Sequence, residues 1–252
     1  AYDVMHHYDS HVPALVLCLE TAPGARTRGS IGFWPALPLR RKGLVELCLP
    51  DAQKNTRVTM FVADLGLSPL LLKSGSMSAL AELWSGLCAA IDMALLEGAD
   101  PFELDEAFEA QGWSPGPLGR QDQVGLDTLN AWRAAFGEER ALVSDRMVRE
   151  GRLGHATNVG WYRYPGGGGA VIDPLMEDMV REEAHFARIA PQPRALDQTV
   201  ALIEADLAAA ALTLASTETL ATPDDARRAV VHGLGMPQAR WSKAVGEQTE
   251  TT

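Results

Sequence analysis

The 252-residue sequence predicts an incomplete α/β layer over residues 1–73 followed by all-α structure. Three observations predict this mixed fold class. The first part alternates short, continuous apolar runs with one helical pattern, which is typical of α/β structure. From Met77 onward the apolar residues recur at the 3.6-residue spacing of helices. A helical pattern then occurs a second time, so we expect a helical domain over 74–175 and a second, shortened helical repeat over 176–252.

Within the first part, four apolar runs predict strands. Residues 14–19 (ALVLCL) form a continuous apolar run, which is typical of a strand buried on both faces of a parallel sheet. Residues 30–34, 44–49 and 69–72 show the same character, and residues 58–65 carry a helical spacing between the last two runs. This is the tail of a doubly wound layer, and it is too short to be a complete one.

The helical part begins with an amphipathic stripe and a helix-start motif. Asp100 is placed to cap a helix, with Pro101 at its first position and Glu103 at its third. Further helices are predicted over 118–136 and from a cap at Ser144. The stripe consists of Met77, Leu80, Trp84, Leu87 and Ile91.

Four consecutive glycines separate two short apolar runs further along the chain. Residues 161–164 and 170–172 flank the glycines 166–169, which predicts a hairpin or an exposed loop. No helical pattern opens directly after these glycines to present free N–H groups, so a phosphate-binding loop is not expected.

Two matched prolines and a matched helix start indicate that the helical unit is duplicated. Thr222 and Pro223 correspond to Asp100 and Pro101, an offset of 122 residues (223 − 101). Pro115 and Pro237 each follow their helix-start proline by fourteen residues. The apolar stripe is repeated by Val200, Ile203, Leu207, Ala210 and Leu214.

Several segments resemble one known family. Residues 151–164 (GRLGHATNVGWYRY) are similar to GRLGRKTGKGFYRY, which closes the C-terminal domain of 3-hydroxyacyl-CoA dehydrogenases. Residues 115–127 (PGPLGRQDQVGLD) resemble that family's GPFELxDxVGLD, and residues 232–237 (HGLGMP) resemble its GxGFP in a second, shortened copy. The resemblance implies a partial Rossmann-like segment followed by two tandem C-terminal-type helical domains. In the family such domains pair, either across a homodimer or within one chain, and we expect one of these pairings here.

The resemblance also locates candidate catalytic positions. Ile31 stands where the family has the general-base His, and Glu46 stands where it has the Glu that orients that His. Ala81 stands at the position of a substrate-binding Asn. A secondary alcohol needs such a base, because its proton is not lost to solvent at a useful rate near neutral pH. The GxGxxG turn that would bind NAD is absent from the sequence.

These replacements leave three functional hypotheses. The first is a catalytically degenerate 3-hydroxyacyl-CoA dehydrogenase-like protein, at most an acyl-CoA binder or an assembly subunit, with no cofactor. The second is an NAD-dependent 3-hydroxyacyl-CoA dehydrogenase of fatty-acid β-oxidation type, whose cofactor-binding part lies outside this chain. The third is a decayed gene product without a selected function. Whether the chain is an enzyme is therefore left open by its sequence.

Composition restricts the partners. A formal net charge of −11 argues against nucleic acid and anionic membrane surfaces, since phosphate binding needs a basic face. No apolar run approaches the roughly 20 residues of a membrane span. Cys18, Cys48 and Cys88 lie in apolar runs without metal-binding spacing, which predicts buried thiols in a reducing, cytoplasmic setting.

The N-terminal histidines do not predict a metal site. His6, His7 and His11 lie close together with Asp3 and Asp9, a combination that could in principle hold a metal. Imidazoles near a chain end are more often solvated, so we expect no metal.

Overall fold

The structure is a computed structural model that describes residues 15–20, 28–34, 44–48, 59–60, 63–64, 68–72, 79–136, 142–217 and 219–246. The N-terminal histidines and half of the helix predicted over 58–65, namely residues 58, 61, 62 and 65, lie outside these residues. The chain forms two compact units, each assembled from segments distant in sequence. One unit comprises Ala1–Leu80 with Ala208–Gly235, and the other comprises Ala81–Leu207 with Met236–Thr252. The domain boundaries expected at 73 and 175 stay predictions.

The first unit contains a four-stranded sheet. Its strands are β1 Leu15–Glu20, β2 Arg28–Trp34, β3 Leu44–Cys48 and β4 Ser68–Leu72, in the order β1-β2-β3-β4. Strands therefore occur where the four apolar runs predicted them.

The directions of these strands differ from the expectation. β1 pairs with β2, and β2 with β3, in antiparallel fashion, and β3 with β4 is parallel. The prediction of a parallel arrangement was wrong for the first two pairs. The reason lies in the connections, because a parallel crossover needs about a dozen residues or more. Residues 21–27 and 35–43 are too few for one, whereas residues 49–67 are enough.

The described helices are joined by connections of eight residues or fewer, except for residues 150–174. That longer connection contains an antiparallel hairpin of β5 Tyr162–Arg163 and β6 Val171–Ile172, which confirms the hairpin predicted around the four glycines. In chain order the helices are α1 Ala79–Leu96, α2 Pro101–Ala110, α3 Pro117–Val124, α4 Leu126–Phe136, α5 Leu142–Arg149, α6 Leu175–Ala187, α7 Leu196–Ser216, α8 Pro223–Arg228, a π-helical turn Ala229–Leu234, and α9 Gln238–Ala244.

Two helices begin at the capping residues that the sequence predicts. Asp100 caps α2, since its carboxylate accepts the N–H groups of Phe102 and Glu103 at 2.9 Å, and Thr222 caps α8 by accepting the N–H of Asp225 at 3.1 Å. Both predicted caps are therefore confirmed. The single helix expected over 118–136 is instead two helices, because Gly125 adopts a φ of 99° that ends α3.

The cap predicted at Ser144 is wrong. Helix α5 already begins at Leu142, and its free N–H groups are satisfied by Asp92 of α1. The Asp92 carboxylate accepts the N–H of Val143 at 3.2 Å and both the N–H and the hydroxyl of Ser144 at 3.3 and 3.2 Å. A side chain about fifty residues away in sequence thus does what a local cap was expected to do.

Two of the described helices, α1 and α7, are long and apolar enough to cross a membrane, each with a mean hydropathy of 1.5 over 18 residues. The buried share of that window is 72 % in α1 and 44 % in α7. Length and composition alone are weak evidence for a span, because the core helix of a soluble protein meets the same criteria.

In the first unit, residues 220–228 bond to the edge strand β4. Leu72 of β4 forms an antiparallel bridge with Leu220, and the N–H of Ala221 donates to the carbonyl of Leu71 at 3.1 Å. The guanidinium of Arg228 donates to the carbonyl of Pro69 at 2.7 Å. These bonds satisfy backbone groups that an exposed edge strand would leave open.

Candidate functional site

Glu46, the acidic residue that the family resemblance predicts as a catalytic position, is a buried carboxylate on β3 with 3 % of its surface exposed. Its Oε1 accepts the backbone N–H of Leu80 at 2.9 Å. Leu80 is the second residue of α1, and the first N–H groups of a helix have no partner within the helix. The carboxylate therefore caps α1 from the sheet, and its negative charge is favourable at a helix N-terminus.

The packing around Leu80 leaves no room for an extra carbon atom on the π-helical turn. A Cβ built on Gly233 would lie 2.3 Å from Cδ2 of Leu80, much closer than real Cβ contacts. Gly233 therefore permits the close approach that keeps Leu80 in place. In the first unit, Leu80 therefore packs against Gly233 of the π-helical turn with its side chain and bonds to Glu46 with its backbone N–H.

Position 31, where the sequence analysis placed the lost general base, lies on β2. In the register of β2 and β3, Ile31 pairs with Leu47, while Glu46 pairs with Gly32. Residues directly opposite on antiparallel strands are the nearest cross-strand neighbours. Positions 31 and 46 are thus one residue out of register with each other.

Ala81, the residue that the family resemblance predicts in place of a substrate-binding Asn, belongs to the second unit. It is buried, and its carbonyl accepts the hydroxyl of Ser85 at 2.8 Å. Its methyl side chain can neither donate nor accept a hydrogen bond. Ala81 is therefore a buried residue of α1 whose side chain offers no polar group to a substrate.

The described residues do not fit the NAD that the family resemblance implies. A dinucleotide is bound at a glycine-rich turn between a strand and a helix of a βαβ unit. In the described sheet, the parallel pair is β3 and β4, and residues 49–67 between them (LPDAQKNTRVTMFVADLGL) contain no GxGxxG. No chemical step can therefore be assigned to this cofactor.

The described part of the chain also contains no group of three or more His, Cys, Asp or Glu residues placed to hold a metal ion.

The second unit contains a polar centre that the sequence analysis did not identify, formed by Asp105 of α2 and Asp122 of α3. Asp122 accepts the N–H of Trp161 at 2.8 Å, and the N–H of Tyr162 and the hydroxyl of Tyr164 at 2.9 Å each. Asp105 accepts the hydroxyl of Tyr162 at 2.9 Å. We refer to Asp105, Asp122, Tyr162 and Tyr164 as the Asp–Tyr cluster.

Asp105 also organises the start of α3. It accepts the N–H of Leu118 at 2.7 Å and that of Gly119 at 3.2 Å, two of the first free donors of this helix. A Cβ on Gly116 would lie 2.3 Å from Oδ1 of Asp105, so only glycine lets the chain pass this carboxylate.

Burial makes both carboxyl groups weak acids. It raises the pKa of Asp122 from 3.8 to about 7 and that of Asp105 to about 6, and the hydrogen bonds that the two groups accept lower both pKa values in part. The negative charge of Asp105 raises the pKa of Asp122 further. The same burial and the neighbouring carboxylates raise the pKa values of Tyr162 and Tyr164.

The arrangement has a structural purpose. The two carboxylates of the Asp–Tyr cluster accept hydrogen bonds from backbone N–H groups and tyrosine hydroxyls of the chain itself, which ties residues 161–164 to α2 and α3. The signal that could have located the cluster is the pair of family-like segments, 115–127 and 151–164, because the structure brings these two together.

Comparisons with known proteins bear on the same region. Residues 84–164 match the family model of the 3-hydroxyacyl-CoA dehydrogenase C-terminal domain. The peroxisomal bifunctional enzyme of Danio rerio is 29 % identical over 171 residues, which cover 58 % of this chain and 23 % of that protein.

Two solved structures have a similar fold. The 3-hydroxybutyryl-CoA dehydrogenase of Escherichia coli K12 superposes with a TM-score of 0.62 at 18 % identity, over 85 % of this chain and 63 % of that one. The dehydrogenase part of multifunctional enzyme 1 from C. elegans gives 0.60 at 16 % identity, over 87 % and 56 %. At such identities these two comparisons show the fold alone, and the chain spans less than two thirds of each relative.

The part of the chain that contains the Asp–Tyr cluster, residues 84–164, is thus similar to the C-terminal helical domain of 3-hydroxyacyl-CoA dehydrogenases. The resemblance to the 3-hydroxyacyl-CoA dehydrogenase family is confirmed, and residues 84–164 are the part that matches its C-terminal domain. The mostly helical architecture with a small sheet agrees with this assignment.

Proposed function

We propose that this chain is a catalytically degenerate 3-hydroxyacyl-CoA dehydrogenase-like protein that serves as an acyl-CoA binder or assembly subunit. The observation that carries the proposal is Glu46. This carboxylate is buried and bonded to the N–H of Leu80, and the residue at the expected base position is Ile31. Glu46 therefore has a structural partner, and an isoleucine cannot take a proton from a hydroxyl group.

The test is reduction of acetoacetyl-CoA by NADH, followed at 340 nm, together with calorimetric titration of acetoacetyl-CoA into the protein. We expect a flat absorbance trace and a saturable binding heat. Turnover above that of a heat-denatured sample would refute the degenerate state. If the protein shows neither turnover nor binding of acetoacetyl-CoA, the acyl-CoA role is refuted. That outcome would favour the hypothesis of a decayed gene product without a selected function.

The variant Ile31→His gives a matched control. If the Ile31→His variant still shows no turnover, the missing base is only one of several missing catalytic groups. The Ala at position 81 and the absence of a GxGxxG turn from the sequence agree with that outcome. Turnover appearing in this variant would instead indicate that the rest of the catalytic machinery is intact.

The alternative is an NAD-dependent 3-hydroxyacyl-CoA dehydrogenase whose cofactor-binding part lies outside this chain. It is supported by the fold, since this chain covers 63 % of the Escherichia coli dehydrogenase. Stabilisation by NAD in a thermal shift experiment separates the two candidates, because a ligand that binds the folded state raises its melting temperature. We expect no shift with NAD.

We further propose that the second helical repeat acts as an intramolecular partner of the first. The guanidinium of Arg240 on α9 donates to Oε1 of Gln111, just after α2, at 2.9 Å. A Cβ on Gly112 would lie 3.3 Å from Pro237, so the two equivalent linkers are in close contact. Light scattering should then give the mass of one chain, and a stable dimer would contradict this pairing.

We also propose that the protein is located in the cytoplasm. The alternative is the peroxisome, because the Danio rerio relative is named as a peroxisomal enzyme. Fluorescence microscopy of the tagged full-length protein separates the two.

A further inference from the structure

A cavity of about 400 Å³ lies in the second unit, where α1 and α6 end and α2 begins. Its floor consists of Leu95, Leu96 and Val180, each at most 5 % exposed. Its wall is formed by Ala184 of α6 together with Ile189 and Pro191 of the following segment. A volume above about 300 Å³ with a mainly apolar lining is the usual form of a small-molecule site.

The cavity is maintained by backbone bonds around it. Residue 188 adopts a left-handed φ of 57° that ends α6, and the N–H of Ile189 donates to the carbonyl of Ala184 at 3.0 Å. The N–H of Gln192 then donates to the carbonyl of Glu97, just after α1, at 2.8 Å. The segment that forms the wall is thus bonded to both helix ends, and the cavity is part of the folded backbone.

The charged groups around the opening already have partners. Asp100 accepts two N–H groups of α2 at 2.9 Å. Arg181 lies 3.0 Å from Asp178 and 3.6 Å from Glu177. The lining thus carries two carboxylates, Asp100 and Glu177, and one guanidinium, Arg181, all engaged by groups of the chain itself. The apolar floor therefore favours an uncharged ligand, because a charge taken out of water needs a partner of its own.

We propose that this cavity binds a small, uncharged, apolar molecule. The cavity shares no lining residue with the surroundings of Glu46 and the proposal does not depend on the acyl-CoA role, so the two proposals can fail independently. A side chain from a second copy of the chain is the competing occupant.

The test uses the neutral fluorescent probe N-phenyl-1-naphthylamine with the full-length protein. We expect a saturable increase of emission. Ala184→Phe places a ring in the cavity and should raise the Kd of the probe by about tenfold or more. The matched control, Ala187→Phe, adds the same ring at an exposed position of the same helix that does not line the cavity. It should leave the Kd within about twofold of the original value.

A second measurement keeps the test decisive if Ala184→Phe does not fold. In methyl NMR spectra of the unchanged protein, the probe should shift the signals of Leu95, Leu96 and Val180. Shifts confined to the buried methyl groups of Val200 and Leu207, which do not line the cavity, would overturn the proposal. Equal probe binding in both variants, or no saturable binding, would also overturn it. So would self-association abolished by Ala184→Phe without probe binding.

Discussion

The indole N–H of Trp113 donates a 2.9 Å hydrogen bond to Oε1 of Glu204, 91 residues further along the chain. Both residues are at most 2 % exposed. The second carboxylate oxygen of Glu204 forms an ion pair with Arg240. One buried carboxylate thus joins the linker after α2 to α7 and α9.

Glu204→Ala should lower the free energy of unfolding by about 3–5 kcal/mol, because it removes one partner of a buried ion pair and leaves Arg240 with an uncompensated charge. Trp113→Phe removes one neutral donor and some packing, and its hydrogen-bond loss should cost only about 1 kcal/mol. Urea unfolding monitored by circular dichroism measures both. Small and equal losses in the two variants would mean that the ion pair between Glu204 and Arg240 contributes little to stability.

The raised pKa of Asp122 predicts a pH dependence of stability. Because the pKa is about 7 in the folded protein and 3.8 ordinarily, the stabilisation linked to this group is complete below pH 4 and is lost as the pH rises through 7. Asn does not titrate. The stability advantage of the unchanged protein over Asp122→Asn, about 1–3 kcal/mol at pH 4, should therefore shrink towards pH 8.

Unfolding titrations of both proteins at several pH values test this sign. Subtracting the two curves removes the contribution of carboxyl groups such as Asp224, whose pKa is lowered by Arg227 and which acts in the opposite direction. A difference that grows with pH would contradict the buried, weakly acidic state of Asp122.

Gly160 should not tolerate even a methyl group. A Cβ at this position would lie 2.0 Å from Oδ1 of Asp122, so Gly160→Ala should destabilise the protein by about 3 kcal/mol or more. Gly86 is an exposed residue of α1 with no atom within 4 Å of a Cβ, and Gly86→Ala should stabilise by about 0.5–1 kcal/mol. Thermal melts of the two variants should therefore shift in opposite directions, and two similar shifts would argue against the close approach at Asp122.

Glu46 can be tested as a helix cap. Glu46→Gln keeps an oxygen that accepts the N–H of Leu80, so its effect on stability should be small, whereas Glu46→Ala should cost about 1–3 kcal/mol because a buried donor is left without its partner. Denaturant unfolding of the two variants gives the comparison. A Gln variant as unstable as the Ala variant would indicate that the charge matters more than the hydrogen bond.

Local patterns accounted for much of the secondary structure. The strands lie where apolar runs predicted them, and Asp100 and Thr222 cap the helices that follow, because a cap and the N–H groups it satisfies are within three residues of each other. The same local reasoning failed at Ser144. Its helix is capped by Asp92, and no local pattern reveals a partner so distant in sequence.

The sequence by itself determined the alternation of helices and strands, the repeated helix starts and the family resemblance, since each depends on residues close together in the chain. Only the tertiary structure decided the strand directions, the partner of Glu46 and the Asp–Tyr cluster. Asp105 and Asp122 are ordinary polar residues in the sequence. They become weak acids because folding buries them, and the hydrogen bonds that they accept from residues 40 and 57 positions further along the chain offset only part of this effect.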